Sequence, residues 1–408
     1  MTRRLHTLTD EEIRAICRDA FGTEVTVGGF LAGEVAVNVR VTDAAGRALV
    51  LKAEYPSPAV SPAHYDWVCG VQERARSTGL PVADQIPATT PTGDTGFLAL
   101  VPIGSTPAPE LPAGEAPSLS DTTSPSGTPT AMCRLQGFLP GSVVRDREVD
   151  GGHEALFGRV AARTVSALAD HPSEPEPVLH PWAFEPTGAN VLFACDRIAS
   201  LEAAGAVPAE FGARTSADLA LARRIAERFQ AEVRPRLADL PHQVVHQDLN
   251  DFNLLVADGR LSGIIDFGDA RWAPRVAELG VAAAYATLGT DSPVGGLLSA
   301  IGAYRTEALG GRGVQGGRGA SAAALTVDEY ALVPLAALTR LCLNACQWTA
   351  RTLTTPADDP RHAYGRARME RSWPVIRDLA GPVLDGTVEA RVRELVTAHV
   401  PTGGGRDS

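Results

Sequence analysis

The chain has 408 residues, 44% of them apolar and 21% charged, and a net charge of −11. That length fills two or three lobes with real cores, and the balance is that of a globular protein. The negative sum argues against general nucleic-acid binding, which needs a basic face, and against anionic membranes, while tolerating a cationic small substrate.

Met1-Thr2-Arg3-Arg4 runs into polar residues and not into an apolar core segment, so no signal peptide is expected. No uninterrupted apolar run reaches transmembrane length. Six cysteines in 408 residues make no disulfide framework. Cys342 and Cys346, four apart on an apparent helix, read as core thiols in preference to a metal pair. The expectation is a cytoplasmic, reduced setting.

Residues 8–20 predict a helix with Thr9 or Asp10 as N-cap. Gly28-Gly29-Phe30-Leu31-Ala32-Gly33 reads as a glycine-rich turn. Val35, Val37, Val39 and Val41 then alternate with Ala36, Asn38 and Arg40, the pattern of a half-buried strand. Asp43–Gly46 makes a turn, and the next strand, Ala48-Leu49-Val50-Leu51, ends on Lys52. This is the one lysine among 37 basic residues. Ammonium is a compact point charge and guanidinium a wide planar fork. A position that keeps lysine where arginine is used everywhere else calls for the compact charge, as on nucleotide phosphates.

Residues 64–78 predict a second helix, ending at Gly79, and 96–101 a strand. Residues 102–130 hold seven prolines among Ser, Thr, Ala and Gly, the composition of a disordered insertion. Order returns at Met132–Gly141. If 96–101 and 132–137 pair antiparallel, the insertion is an overlong hairpin loop. From about 150 the chain turns helical, with helices expected at 154–169 and 216–238. Gly310–Ser321 reads as a flexible loop.

One segment interrupts the helices. His246, Asp248 and Asn253 have the H-x-D-x-x-x-x-N spacing of a kinase catalytic loop, and Asp266-Phe267-Gly268 matches the metal-binding D-F-G. Between them, short apolar strands flank the hairpin signal Asp258-Gly259. With those two residues as the turn, Ala257 pairs with Arg260 and Asn253 with Ile264. Asp266, two residues on, then shares a face with Asn253. Two hard oxygens placed together suit Mg²⁺, which takes its other ligands from water and phosphates. Asp248 is then placed to accept a proton from an attacking hydroxyl, and His246 to orient the loop. Singly, each motif has a blander reading: a hairpin, a loop hydrogen bond, a helix-anchoring acid at Asp269 or Glu278. Their conjunction with the strand lysine favours the chemistry.

On these residues, together with Val50-Leu51-Lys52 and Cys133–Gly141, the chain resembles the aminoglycoside phosphotransferase and choline-kinase-like family. Within it, the hydroxylysine-kinase-like branch, and the phosphotransferase domains fused to class III aminotransferases, look most alike. The resemblance covers most of the chain outside 102–130. It implies an α+β, bilobal, protein-kinase-like fold with a small antiparallel-sheet N-lobe and a larger, mainly helical C-lobe. The N-lobe would span 1–137, the hinge 138–141 and the C-lobe 142–400, with a flexible tail at 401–408.

It further implies ATP or GTP as donor, with Mg²⁺. Lys52 would hold the α/β-phosphates under the loop of Gly33, and Asp248 would be the base. Asn253 and Asp266 would hold the metal, and the backbone of Gln136, Phe138 and Leu139 would meet the nucleobase. Asp66, or else Glu73, would be the acidic partner of Lys52. Gln247 departs from the family's usual glycine, and Glu34-Val35-Ala36 from the branch's charged stretch.

Trp272-Ala273-Pro274 follows Asp266 within eight residues, which leaves no room for an activation segment that docks peptides. The acceptor is therefore expected to be a small hydroxyl compound, amine-bearing, of hydroxy amino acid or amino alcohol type. An aminoglycoside or other antibiotic kinase is the alternative. A catalytically inactive regulator would be expected to have lost Lys52, Asp248 or Asp266, and all three are present.

Overall fold

The computed structural model describes residues 5–31, 36–57, 60–103, 129–146, 148–176, 180–205, 212–310 and 322–398. Gly33, residues 401–408 and nearly all of the expected 102–130 insertion and the 310–321 loop lie outside them.

Helix α1 (Asp10–Phe21) starts where Thr9 and Glu12 cap each other: Glu12 N donates to Thr9 Oγ1 and Thr9 N to Glu12 Oε2. Gly22, at φ 61°, ends it. Its buried face, with Ile13, Ile16 and Cys17, packs on one side of an antiparallel sheet. The sheet contains β1 (Val25–Leu31), β2 (Val37–Asp43), β3 (Ala48–Glu54), β4 (Gln85–Ile86), β5 (Ala99–Pro102) and β6 (Thr130–Gly137). The order is β1-β2-β3-β6-β4, with β5 also paired to β6. Strand alternation sorts β3: Leu49, Leu51 and Ala53 join the α1 core, while Val50, Lys52 and Glu54 point to the other face.

The expected pairing of 96–101 with 132–137 is present, with Ala99 opposite Cys133. One expectation changes. Gly28 and Gly29 lie inside β1, not in a turn; the register slips between Val27 and Gly29. Gly29, at φ 124°, has the backbone that favours glycine, and a Cβ on Gly28 would stand tightly, 3.2 Å from Arg40 O.

Helix α2 (Pro62–Ser77) opens with Ser61 as cap and Pro62 in its first turn. Its Trp67, Val68 and Val71 belong to the second core, that of the helical half. There follow β7 (Ser142–Val143), α3 (His153–Leu168), α4 (Thr187–Ala203), α5 (Gly212–Glu232) and α6 (Arg234–Leu237). The single helix expected at 216–238 is broken after Glu232, close to Pro235, which has no N–H and disfavours the helical state just before it. Next come β8 (His242–Val245), β9 (Leu254–Ala257), β10 (Arg260–Ile264) and β11 (Arg271–Pro274). Helices α7 (Val276–Ala286), α8 (Pro293–Gly310), α9 (Val327–Thr354), α10 (Pro360–Leu384) and α11 (Thr387–Thr397) complete the chain.

Helix α9 is the axis of this half: α4, α5, α7, α10 and α11 all pack on it. Its 28 residues run about 42 Å. All six cysteines are buried and unbridged, and Cys342 and Cys346 are core residues. Among the described residues no helix is long and apolar enough to cross a membrane. The architecture is α+β: an antiparallel-sheet lobe and a mainly helical one, with β7–β11 between them and the long helices.

Candidate active site

Strand β8 delivers His246 into the loop that carries Asp248. His246 is fully buried. Its Nε2 lies 3.1 Å from Ile265 O, and its Nδ1 accepts from Asp248 N at 3.3 Å. Those partners require the neutral ring with the proton on Nε2, and burial pushes its pKa down to about 4. His246 therefore ties the loop to the D-F-G strand and is no proton acceptor for substrate.

Gln247 stands at φ 65°, a left-handed backbone that favours glycine. The buried Glu278 accepts its N–H at 3.0 Å. Its side chain accepts from Phe184 N at 3.3 Å and donates to Asp269 O at 3.4 Å. At 2% exposure it braces the loop from its buried side. Glu278 thus anchors the catalytic loop from helix α7. Burial pushes its carboxyl up to about 8.

Asp248 is held from three sides. Asn250 Nδ2 and Asn253 Nδ2 each donate to Oδ2 at 2.8 Å. Arg340, from the middle of α9, donates through Nη2 to Oδ1 at 2.9 Å. Burial raises the carboxyl to about 7, with the charges of Asp269 and Asp266 pushing the same way and Arg340 and Asn250 opposing. Arg340 is itself 2% exposed and fixed by a 2.6 Å bond to Trp182 O. Sequence reasoning missed it, although an arginine in the run Ala337-Leu338-Thr339-Arg340-Leu341-Cys342 is a signal: a charge among core residues requires a partner.

The hairpin turns at Asp258 and Gly259, both with positive φ, and Ala257 pairs with Arg260 as expected. Further along the register differs. It slips between Leu261 and Gly263, so Ile264 faces Leu254, one residue off the expected Asn253. Asn253 O instead accepts from Ile265 N at 3.0 Å. The shared face of Asn253 and Asp266 therefore does not follow from strand alternation. Asp266 leaves the strand in a left-handed conformation, φ 65°, and this turn redirects its carboxylate. Oδ1 lies 2.9 Å from Lys52 Nζ. Lys52, first among the causes, holds the Asp266 carboxyl below the ordinary aspartate range. Asp266 remains 55% exposed beside a lysine side chain that is 9% exposed, so an anionic oxygen stays open to the cleft. Both hydrogen bonds of Asn253 Nδ2 go to Asp248, which turns its Oδ1 the other way.

The acidic partner of Lys52 is thus Asp266. Asp66 accepts from Asp94 N at 2.8 Å and from the Thr95 backbone and hydroxyl, holding the turn next to Gly93. Glu73 pairs with Arg76 at the exposed end of α2. A second carboxyl on the face of Lys52 is Glu54, two residues along β3, hydrogen-bonded to Tyr65 Oη at 2.5 Å and raised in pKa by burial. Period-two alternation could have found it.

At the crossing between the lobes, Gln136 is paired on both sides, to Val50 and Gln85. Gly137 N donates to Asp84 O and Phe138 N to Ala48 O. Pro140 has no N–H, and the amides of Leu139 and Gly141 take no backbone bond among the described residues. Leu139 packs on Gly263, where an added Cβ would meet it at 3.0 Å. Arg40 lies over the Phe138 ring at 4.5 Å. After the D-F-G turn, β11 pairs at once with β8, Arg271 opposite Val245, and α7 follows. Asp269, just after Gly268, lies 3.2 Å from His180 Nε2, and burial lifts it to about 6.

The family model for the APH phosphotransferase enzyme family matches residues 29–311. The chain belongs to that family. A curated relative, mouse hydroxylysine kinase, is 28% identical over 189 residues, 43% of this chain and 46% of the relative, so the match spans about half the length of each. Among solved structures, an amicoumacin kinase in complex with AMP-PNP and Ca²⁺ superposes with a TM-score of 0.58 at 12% identity, covering 92% of this chain and 95% of its own. A microcompartment-associated aminopropanol kinase gives 0.53 at 13%, covering 94% and 100%. These likenesses identify the fold as the protein-kinase-like one.

Proposed function

We propose that the protein is an ATP- or GTP-dependent phosphotransferase. It would move the γ-phosphoryl group to a hydroxyl of a small, amine-bearing metabolite of the hydroxy amino acid or amino alcohol type. The observation that carries this reading is the meeting of two pairs across one cleft. Lys52–Asp266 comes from the sheet lobe and the D-F-G turn, and Asp248–Asn253 from the catalytic loop, with no peptide-docking segment behind them. Hydroxylysine kinase as a partial relative, and family membership over more than half of the chain, support it.

In this reading the Lys52 ammonium binds the donor's phosphates, and the Leu139 amide at the 138–141 hinge meets the base. Gly33, whose loop would cover the phosphates, belongs to the same proposal. Asp66 leaves the nucleotide site, because its carboxylate is taken by the 94–95 turn. Asp266 and the Asn253 amide oxygen would hold Mg²⁺. The fit rests on their chemistry: one anionic oxygen open to the cleft and one neutral oxygen, a sparse set that leaves positions for water and phosphate. When bound, the ion neutralises charge on the phosphates.

The chain's own groups do the rest. The acceptor oxygen forms a bond to the γ-phosphorus as the bond to the β-phosphate oxygen breaks. The hydroxyl proton passes to Asp248, and the nucleoside diphosphate leaves. Arg340 and the two asparagines orient the Asp248 carboxylate for that proton. A panel of hydroxylysine, ethanolamine, choline, homoserine and aminoglycosides, assayed for product with Mg-ATP and Mg-GTP, tests the proposal. Product from the hydroxy amines supports it, product from aminoglycosides alone moves the protein to antibiotic modification, and no product from any of them sinks it.

A further inference from the structure

Resting on the phosphotransferase reading above, we infer that Asp269 binds the acceptor's amine, taken as a protonated primary amine close to the reacting hydroxyl. Asp269 follows the D-F-G turn, and its place is fixed by contacts that run in a ring with Asp248. Arg340 Nη2 donates to Asp248 Oδ1 at 2.9 Å, and Arg340 Nη1 to Trp182 O at 2.6 Å. Trp182 N donates to His180 Nδ1 at 3.3 Å, and His180 Nε2 stands 3.2 Å from Asp269 Oδ1. Gln247, the neighbour of Asp248, closes the ring by donating through Nε2 to Asp269 O at 3.4 Å. The base and Asp269 are therefore held at a set separation.

That separation is short. After burial, the Asp269 charge is the largest influence on the Asp248 carboxyl, ahead of Arg340 at 2.9 Å. Coulomb interaction falls with distance, so the two carboxylates are close neighbours. Both side chains also keep a solvent-facing part, 17% for Asp248 and 23% for Asp269. A small molecule in the cleft can reach the two together.

Asp269 is oriented without being neutralised. His180 Nδ1 accepts a bond, so the ring's proton sits on Nε2. Burial, with the Arg271 and Arg340 charges, holds the His180 pKa down to about 3. A neutral imidazole turns the carboxylate and cancels none of its charge. The cations around it are engaged elsewhere: Lys52 on Asp266, Arg340 on Asp248, and Arg271 through Nη1 on His64 Nε2 and Ala270 O. Arg271 and Arg340 draw the Asp269 pKa down only through space, and burial outweighs them. Oδ2 has no donor among the described residues.

The free oxygen calls for a cation that carries N–H. A metal ion fits poorly, because His180 presents its Nε2–H to the same carboxylate. A quaternary ammonium has no N–H and is held by aromatic faces, and the Trp182 ring on this wall already lies under Arg340 at 5.2 Å and Arg351 at 5.7 Å. A primary ammonium has three donors and relieves the repulsion between the two carboxylates. Because those carboxylates are close, the amine belongs on a carbon near the one that bears the hydroxyl, as in a short amino alcohol or the side chain of hydroxylysine.

Matched acceptors test the inference at saturating nucleotide: ethanolamine against ethane-1,2-diol, 3-aminopropan-1-ol against propane-1,3-diol, and hydroxylysine against its analogue lacking the side-chain amine. At least one amine is expected to exceed its amine-free partner in kcat/KM by about 10–100-fold, the worth of a charged hydrogen bond, and choline should fall behind ethanolamine. Asp269→Asn should erase most of that ratio by raising KM for the amine, and Asp269→Glu should restore part of it. His180→Leu, which frees the carboxylate to turn, should lose part of the ratio, again in KM. Thermal melting and nucleotide binding verify that the variants are folded, and if Asp269→Asn is not, His180→Leu carries the same comparison. If the amine-free partners match the amines, the inference is overturned while the kinase reading stands. Equal losses on both members of a pair in Asp269→Asn would reduce Asp269 to a brace for the D-F-G turn, and choline equal to ethanolamine would overturn the primary amine. If no acceptor turns over, titration of the amines onto the AMP-PNP-loaded protein and its Asp269→Asn variant decides. Absence of binding, or binding that the variant keeps in full, overturns the inference.

Discussion

The two sides of the cleft are assembled differently. On the side proposed for the nucleotide the groups come from short strands and tight turns: Lys52 from β3, Asp266 from a left-handed turn, and the proposed hinge from the end of β6. Each is placed by backbone geometry within a few residues of itself. On the side proposed for the acceptor, long helices supply the groups that reach the loop. Arg340 on α9 reaches Asp248, and Arg371 on α10 reaches Asp251. They meet a loop that lies roughly a hundred residues earlier, so helix packing places them and no local motif does. The loop at 246–253 belongs to both, since Asp248 takes bonds from Asn253 on one side and from Arg340 on the other.

The comparison breaks first at Asp248. Asp248→Asn should lower kcat by about 10²–10⁴-fold, the ordinary worth of a positioned base, and leave nucleotide affinity within a few-fold. Calorimetry of AMP-PNP binding beside steady-state turnover checks this. A large loss of affinity would mean that the loop serves the nucleotide side as well, and that the division into two sides is wrong.

Lys52→Arg comes next. This chain uses arginine at every other basic position, so its general chemistry tolerates the exchange. At β3 the wide guanidinium would have to occupy a space where the lysine side chain is 9% exposed and Asp266 lies 2.9 Å away. A loss of about 10–100-fold in kcat/KM for nucleotide is expected, in line with removing one well-placed charged contact. Unchanged turnover would return the lone lysine to an accident of composition.

Arg340→Met tests the contact between α9 and the proposed base. The Arg340 charge lowers the Asp248 pKa against a larger push from burial. Removing it leaves the carboxyl harder to ionise. A base works only when deprotonated, so the acidic limb of the kcat/KM profile should move to higher pH. A loss of activity at neutral pH that higher pH partly recovers is the signature. A uniform loss with the limb unmoved would mark Arg340 as packing alone.

These expectations also show which parts of the molecule could be read from its sequence. The catalytic-loop spacing, the D-F-G turn and the strand lysine were readable because each is a local pattern with its own backbone requirement. Hairpin pairing was readable to one residue: the turn at Asp258-Gly259 was right, and the slip after Leu261 was not foreseen. The slip falls at Gly263, where Leu139 packs close enough that an added Cβ would meet it at 3.0 Å; a glycine inside a strand is a bulge signal, but which neighbour it admits is set by packing. Asp66 misled because a carboxylate at a plausible helix position says nothing of which backbone it will cap. Arg340 was missed for the reason that sets the two sides apart: its partner, Asp248, lies 92 positions away in the chain, and the sequence of α9 shows only a mostly apolar helix with charges set into it.

Gln247 gives the smallest effect and the finest test. Its left-handed backbone, φ 65°, costs a non-glycine residue about 1–2 kcal/mol, which Gln247→Gly would recover. The same change removes the acceptor of Phe184 N and the donor to Asp269 O. Leaving a buried N–H unmatched costs about 1–3 kcal/mol, and the vacated side-chain volume adds to it. The two sides nearly cancel, with destabilisation ahead, so the melting temperature should fall by a few degrees at most. Acceptor preference should not change, because Gln247 is buried beneath the loop at 2% exposure. A changed order of preference among the matched amine and amine-free acceptors would show that Gln247 shapes the acceptor side through the loop. The catalytic loop would then have to be counted with the helices as part of what selects the substrate.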